Sequence, residues 1–194
     1  SISKVRLSPT FATLADTPQT ITQRFVYDHG SSLLETWHRM NNDPEILIAK
    51  NVYNELGQLV DKNLHSTNGT QFRQNVDYRY NIRGWLSRIN NSDLTIEEGE
   101  TKDYFGMNLF YNTSAGTSNS SLYNGNISAM KWSHSLGVNT IKENAYNFSY
   151  DPLNRLLAAN HQQSAVPGVW TPGQYDENGF TYDLNGNIKT LQRR

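Results

Sequence analysis

Polar and apolar residues alternate along much of this chain at a period of two. Gln23-Arg24-Phe25-Val26-Tyr27, Val76-Asp77-Tyr78-Arg79-Tyr80 and Tyr146-Asn147-Phe148-Ser149-Tyr150 carry the pattern, which belongs to strands with one packed face. Ala129-Met130-Lys131-Trp132-Ser133-His134 reads as another strand. A helix competes only over residues 46–59, where Gly57 interrupts it. The expected fold class is all-β, made of repeated antiparallel hairpins in an open sheet.

The segments between these strands repeat. Tyr53-Asn54-Glu55-Leu56-Gly57-Gln58-Leu59, Tyr80-Asn81-Ile82-Arg83-Gly84-Trp85-Leu86, Tyr150-Asp151-Pro152-Leu153-Asn154-Arg155-Leu156 and Tyr182-Asp183-Leu184-Asn185-Gly186-Asn187-Ile188 follow one plan. The plan is Tyr, then Asp or Asn, two free positions, Gly or Asn, one free position, and an aliphatic residue. Asp or Asn opens a type I turn because its side chain accepts bonds from the amides ahead, and Pro152 sits at the favoured second position. The fourth turn position must enter the left-handed region to close the hairpin, which Gly does freely and Asn tolerates. The tyrosine and the aliphatic then lie on the paired strands.

Three further copies fit with allowances. Tyr27-Asp28-His29-Gly30-Ser31 has its Gly one place early, and Tyr175-Asp176-Glu177-Asn178-Gly179 matches only in front. Tyr123-Asn124-Gly125-Asn126-Ile127 is shortened around Asn-Gly, a tight-hairpin signal. Residues 1–20 are expected as an N-terminal extension and 21–194 as the repeat segment, with an inserted loop at about 91–121. Chain length suits one domain with a sizeable core. Because it starts without Met and stops just after a strand-like segment, it reads as a piece of something longer.

Composition narrows the partners. Net charge is −1, from 17 Lys and Arg against 18 Asp and Glu, and no basic run offers a nucleic acid or an anionic membrane its usual footing. Ile46-Leu47-Ile48-Ala49 is the longest aliphatic run, far short of a membrane span. The absence of cysteine excludes disulfides and thiol chemistry.

The repeated turn resembles the tyrosine-aspartate (YD) repeat of the Rhs family of bacterial proteins. The similarity runs over roughly residues 21–194, and Tyr27 and Tyr123 depart from the pattern. The resemblance implies hairpins laid side by side in a sheet that spirals into a hollow shell in complete proteins, secreted or at the cell surface. The shell can enclose a C-terminal toxin-like domain, so the implied partner is the rest of a larger polypeptide. Nothing matches the self-cleaving domain that usually follows the repeats. A piece this short would expose sheet edges, and exposed edges pair with other chains, so a homodimer is a further expectation.

Candidate chemistry is sparse. His29, His38, His65, His134 and His161 stand alone, without metal-ligand spacing, and no cofactor motif is present. Asp28, Asp151, Asp176 and Asp183 recur at one turn position, where capping accounts for them. Arg155 stands at a position that Gln58, Trp85 and Asn187 fill elsewhere, so no acid–base pair repeats. Glu97, Glu98, Glu100 and Asp103 cluster in a loop-like stretch. Carbohydrate is the alternative ligand, with Trp37, Trp132 and Trp170 as stacking candidates, and Trp85 reads as hairpin packing. Trp170, in a Pro- and Gly-bounded loop, is the one most expected to be exposed. A glycosidase ranks third, since it needs two carboxylates facing across a cleft.

Overall fold

The computed structural model describes residues 2–7, 19–96, 102–135, 143–166 and 168–194. The alternating segments are strands, every pairing among them is antiparallel, and no helix occurs among the described residues. The chain divides into two compact units, one running to Asp77 and the other comprising Tyr78–Ile96 with Lys102–Arg194.

The first unit is a meander. β1 (Ile2–Leu7), β2 (Gln19–Tyr27), β3 (Leu33–Met40), β4 (Ile46–Tyr53) and β5 (Leu59–Ser66) pair in sequence order. The beginning of β6 (Gln74–Tyr80) pairs with β5, from Gln74 against Leu64 to Asp77 against Asp61. Residues 46–59, the helical competitor, are β4 and its turn. β1, which falls inside the expected N-terminal extension, pairs with β2 from Ile2 against Arg24 to Leu7 against Gln19.

In the second unit the end of β6 pairs with β7 (Leu86–Ile89). β8 (Phe105–Phe110), β9 (Ala129–His134), β10 (Glu143–Tyr150) and β11 (Leu156–Val166) follow in order. β13 (Glu177–Tyr182) and β14 (Ile188–Arg193) complete the path, and the short β12 (Val169–Pro172) folds back on β11. β8 lies within residues 91–121, so that stretch contributes a strand as well as loop.

Among the described residues neither unit holds a thick apolar centre. The most enclosed side chains include Leu47 at 1% exposure in the first, and Ala129, Ala145, Ser128 and Ser133 at 0% in the second. Small residues are buried because loops lie directly on the sheet. In the second unit Thr117 Oγ1 bonds Asn147 Oδ1 at 2.6 Å and Asn119 Nδ2 bonds Ser128 Oγ at 2.9 Å. A Cβ on Gly106 would overlap the Asn91 backbone, and Asn90 Nδ2 donates to the Phe105 carbonyl at 2.7 Å. Stability in such a layer comes chiefly from the ladder and from cross-strand pairs.

Three expectations about the repeat change. In Tyr27-Asp28-His29-Gly30-Ser31 the left-handed residue is Ser31, φ +67°, so the turn has standard length with Ser at the special place. Tyr123 starts no hairpin, because no strand flanks Asn124-Gly125. The chain there is loop, held as Arg83 Nη1 donates to the Tyr123 carbonyl and as Gly125 packs on the Trp85 ring. Nor does Tyr175 start one: Gly179 is left-handed, φ +64°, yet lies inside β13, where the register slips between Asn178 and Thr181. It is a bulge, and at a left-handed bulge position Gly is favoured for the same reason as at a turn.

Candidate functional site

Among the described residues the polar arrangement that recurs is at the hairpin turns. Asn54 Oδ1 accepts the amides of Leu56 and Gln58 at 3.0 and 2.9 Å, and Asn81 Oδ1 those of Arg83 and Trp85 at 2.9 and 3.0 Å. Asp151 Oδ1 takes Leu153 and Arg155, both at 2.9 Å, and Asp183 Oδ1 takes Asn185 and Asn187 at 2.9 and 2.8 Å. Gly57, Gly84, Asn154 and Gly186 all have positive φ, between +63° and +84°. These bonds hold the Asp151 carboxyl below its ordinary value through the Arg155 amide first. Asp28 is lowered first by the Ser32 amide, and Asp183 first by the Asn187 side chain.

The position after the left-handed residue, free in the sequence plan, is used. Arg155 Nε bonds Asp151 Oδ2 at 2.7 Å, Asn187 Nδ2 bonds Asp183 Oδ2 at 2.8 Å, and Asn54 Nδ2 bonds Gln58 Oε1 at 2.9 Å. The Arg155 guanidinium also lies over the Tyr182 ring, 4.7 Å from its centre. Asp151 and Arg155 are therefore an ion pair inside one turn. Trp85 is the exception at this position, packing on Tyr111 with ring centres 5.0 Å apart.

The tyrosines reach across to the preceding hairpin. Tyr53 Oη donates to the Leu33 carbonyl at 3.0 Å, Tyr150 to Ile127 at 2.8 Å and Tyr182 to Leu156 at 2.6 Å. Tyr111 makes the same bond, to Leu86 at 2.8 Å. Tyr111 is thus the repeat tyrosine of the β8/β9 hairpin, and residues 112–126 are its enlarged turn. The dipeptide Tyr111-Asn112 was the available signal, masked because its Gly and aliphatic partner stand far downstream.

That enlarged turn joins its neighbour. Asn124 and Asn126 both donate side-chain bonds to Asn154 Oδ1, at 2.6 and 3.1 Å. Beside them is an open cavity of about 290 Å³, lined by Ser120, Leu122, Phe148, Tyr150 and Asp151 among others. Nothing in the sequence pattern associated these amides, because they meet through an irregular loop.

The candidate tryptophans do not converge. Trp37 lies on β3 in the first unit, its Nε1 donating to Glu35 at 2.8 Å and the Arg24 guanidinium 4.8 Å from its centre. Trp132 and Trp170 are both in the second unit, on opposite faces. Trp132 stacks on Tyr146 at 5.4 Å. Its neighbour Lys131 points the other way and sets its ammonium 5.1 Å from the Trp170 ring centre. Trp170 is half-buried on β12, not in an exposed loop, because Lys131 covers it.

Trp132 and Tyr146 enclose His161, which is 2% exposed. Its ring centre is 5.9 Å from Trp132 and 5.2 Å from both Tyr146 and Tyr175. Nδ1 is buried without a hydrogen-bond partner, while the His161 amide donates to Asp176 Oδ1 at 2.7 Å. Burial lowers the imidazole below its ordinary 6.5, opposed by the Asp176 charge. Asp176 thus caps a strand contact and opens no turn. Among the described residues no three His, Asp or Glu side chains gather as a metal site. Glu97, Glu98 and Glu100 lie outside the described residues, and Asp103 is buried.

No family model matches the chain. No curated protein matches it either. Among solved structures it is similar to a mutant Tc holotoxin pore of Photorhabdus luminescens, at 14% identity over 96% of this chain and 12% of that one, TM-score 0.38. A TcdB2-TccC3-Cdc42 structure is 12% identical over 98% of this chain and 14% of the other, TM-score 0.37. A TcdB2-TccC3-TEV structure is 13% identical over 99% and 10%, TM-score 0.32. The chain spans 10 to 14% of the length of these structures.

Proposed function

We propose that this chain is a structural segment of a larger hairpin-built shell, of the Rhs or YD-repeat kind, without catalysis of its own. One observation carries the reading: the carboxylates that the repeated motif offers are committed to its turns. Asp151 and Asp183 each hold two backbone amides with one oxygen and a side chain with the other. A carboxylate so engaged is a poor general base, since its lone pairs are occupied and its basicity is lowered. The same turn recurs with asparagine at 54 and 81, where no proton transfer is available.

The tyrosine bonds support the same reading from the other side, because Tyr53, Tyr111, Tyr150 and Tyr182 each join a hairpin to the one before it. The function is then to extend a wall, in a secreted or surface polypeptide whose C-terminal, toxin-like part the wall encloses. Limited proteolysis of the longer polypeptide tests this. The enclosed part is expected to resist digestion, and to become sensitive when Gly57→Val and Gly186→Val weaken the wall. Equal digestion with and without those changes would overturn the enclosure. A hydrolytic activity lost in Asp151→Asn at unchanged melting temperature would overturn the non-catalytic assignment.

A further inference from the structure

We infer that the outer edge of β14 is a docking surface for one more hairpin of the same design, and that the Ile188 carbonyl is where its tyrosine hydroxyl bonds. The inference rests on the wall-segment reading and gives the surface, the partner and the register.

The rule comes from four bonds. Each tyrosine hydroxyl meets a carbonyl at the start of the return limb of the preceding hairpin: Leu33, Leu86 and Leu156, which open their strands, and Ile127, two residues before β9. Leu33, Leu86 and Leu156 stand six places after Tyr27, Tyr80 and Tyr150, and Ile127 closes the enlarged turn. Ile188 stands six places after Tyr182 and opens β14. The Asp183 turn that presents it has the bonds and the left-handed Gly186 of the other copies. Ile188 therefore holds the acceptor's place, on a strand whose one partner among the described residues is β13.

The strand registers obey the same rule. Lys50 faces Glu35, Asn108 faces Arg88 and Asn147 faces Ala129. In each pair the first residue lies three before the tyrosine and the second lies two after the acceptor. β13 has the one deviation: Glu177 faces Ala159, a register with one extra residue on β13 before Tyr182. The left-handed bulge at Gly179 absorbs it. Tyr182 still reaches Leu156, so the hydroxyl bond is kept where the ladder is not. An incoming hairpin must then place the residue three before its tyrosine opposite Thr190.

The occupant is the next hairpin of the same polypeptide, one whose first strand ends in Tyr followed by Asp or Asn. All six side chains of β14 are exposed, and it carries the charges of Lys189 and of Arg193, the latter paired with Glu177 of β13. Edge charges of this kind deter pairing with unrelated strands. A strand tied by a fixed register and a terminal hydroxyl bond gains what an unrelated strand does not.

The cysteine-free chain allows a register test. The full chain is extended beyond Arg194 with a second copy of residues 135–166, which brings its own connection, strands and turn. Thr190→Cys is combined with Asn147→Cys in the copy, since residues directly opposite on paired strands are close enough to form a disulfide. Lys189→Cys and Leu191→Cys are the off-register controls. A synthetic peptide of residues 143–160 bearing Asn147→Cys is also offered to the unextended Thr190→Cys chain, so a poorly folding fusion still leaves a decisive arm. Cross-linking is expected at Thr190→Cys and lost at both controls, and slower with Tyr150→Phe in the copy. Cross-linking at a control position, or indifference to Tyr150→Phe, would overturn the tyrosine rule while leaving the wall reading standing. No cross-link in either format would overturn the docking surface. A Thr190–Thr190 cross-linked dimer of the unextended Thr190→Cys chain would name a second copy as the occupant and overturn it too.

Discussion

Ser31, Gly57, Gly84, Asn154 and Gly186 close five turns in the left-handed region. A Cβ added at Gly57 or Gly186 meets nothing within 4 Å. The cost of Gly57→Val or Gly186→Val is therefore backbone strain alone, about 1–2 kcal/mol each, and about 2–4 °C of melting temperature per kcal/mol for a chain of this size. Gly→Asn at either site should cost much less, as Asn154 and Ser31 show that a side chain is tolerated there. Unchanged melting in both valine variants would refute the turn assignment. The capping carboxylates make a pH prediction. Asp28, Asp151 and Asp183 titrate below their ordinary 3.8 in the folded chain. Their contribution is full above that value and is lost as pH falls through the lower folded values. Asp151→Asn with Asp183→Asn should keep the turns, as Asn54 and Asn81 do, and flatten the acid limb of a melting-temperature profile. His161 acts at higher pH. Its folded pKa is lowered, so its contribution is full above 6.5 and declines as pH falls below it. His161→Gln should remove that decline and the accompanying change in Trp132 fluorescence, and a decline that persists in the variant would exclude His161 as its source.

Hairpins were legible in the sequence because their signal is local. Period-two alternation and an Asx-to-Gly turn both act within a few residues, and every strand read from them is present. What failed was long-range or irregular. Gly30 drew the eye at the turn of Asp28, yet Ser31 takes the left-handed place, because turn length decided the position and not residue type. Tyr123 looked like a repeat tyrosine, while Tyr111 performs the role through a bond to Leu86, 25 residues back. The bond itself could not be read, since each tyrosine reaches a backbone carbonyl, which leaves no mark on residue identity. For the same reason the site lacked a sequence signature: Asn124, Asn126 and Asn154 meet across a loop, and His161 is enclosed by residues from three separate strands or loops. The tyrosine bonds are open to measurement. Tyr150→Phe removes one hydrogen bond, about 0.5–1.5 kcal/mol, and Tyr53→Phe removes the equivalent bond together with the longer one from Asn51 Nδ2 at 3.4 Å. The rings stay packed, so the loss should appear in the exchange rates of the joined hairpins before it appears in the far-ultraviolet spectrum. Identical exchange in wild type and both variants would show that the hydroxyls do not couple hairpins.

Each hairpin of the second unit pairs with its sequence neighbours, apart from β12, which folds back on β11. Stability in a linear array is a sum of local terms and nearest-neighbour terms, so a perturbation decays along it instead of spreading evenly. A packed globular core behaves otherwise: its contacts are shared, and small domains unfold as one. Gly186→Val separates these cases, because it strains the β13/β14 turn without touching another side chain. Amide exchange should quicken most in β13 and β14, less in β10 and β11, which Tyr182 joins to that hairpin through Leu156, and least in β7 and β8. The second substitution, Tyr182→Phe, should confine the effect of Gly186→Val more tightly to β13 and β14, since it weakens the link through which strain is passed. A uniform increase across the unit in the single variant would mean that it unfolds as one cooperative body, and the wall would then be built from whole units and not from hairpins added one at a time.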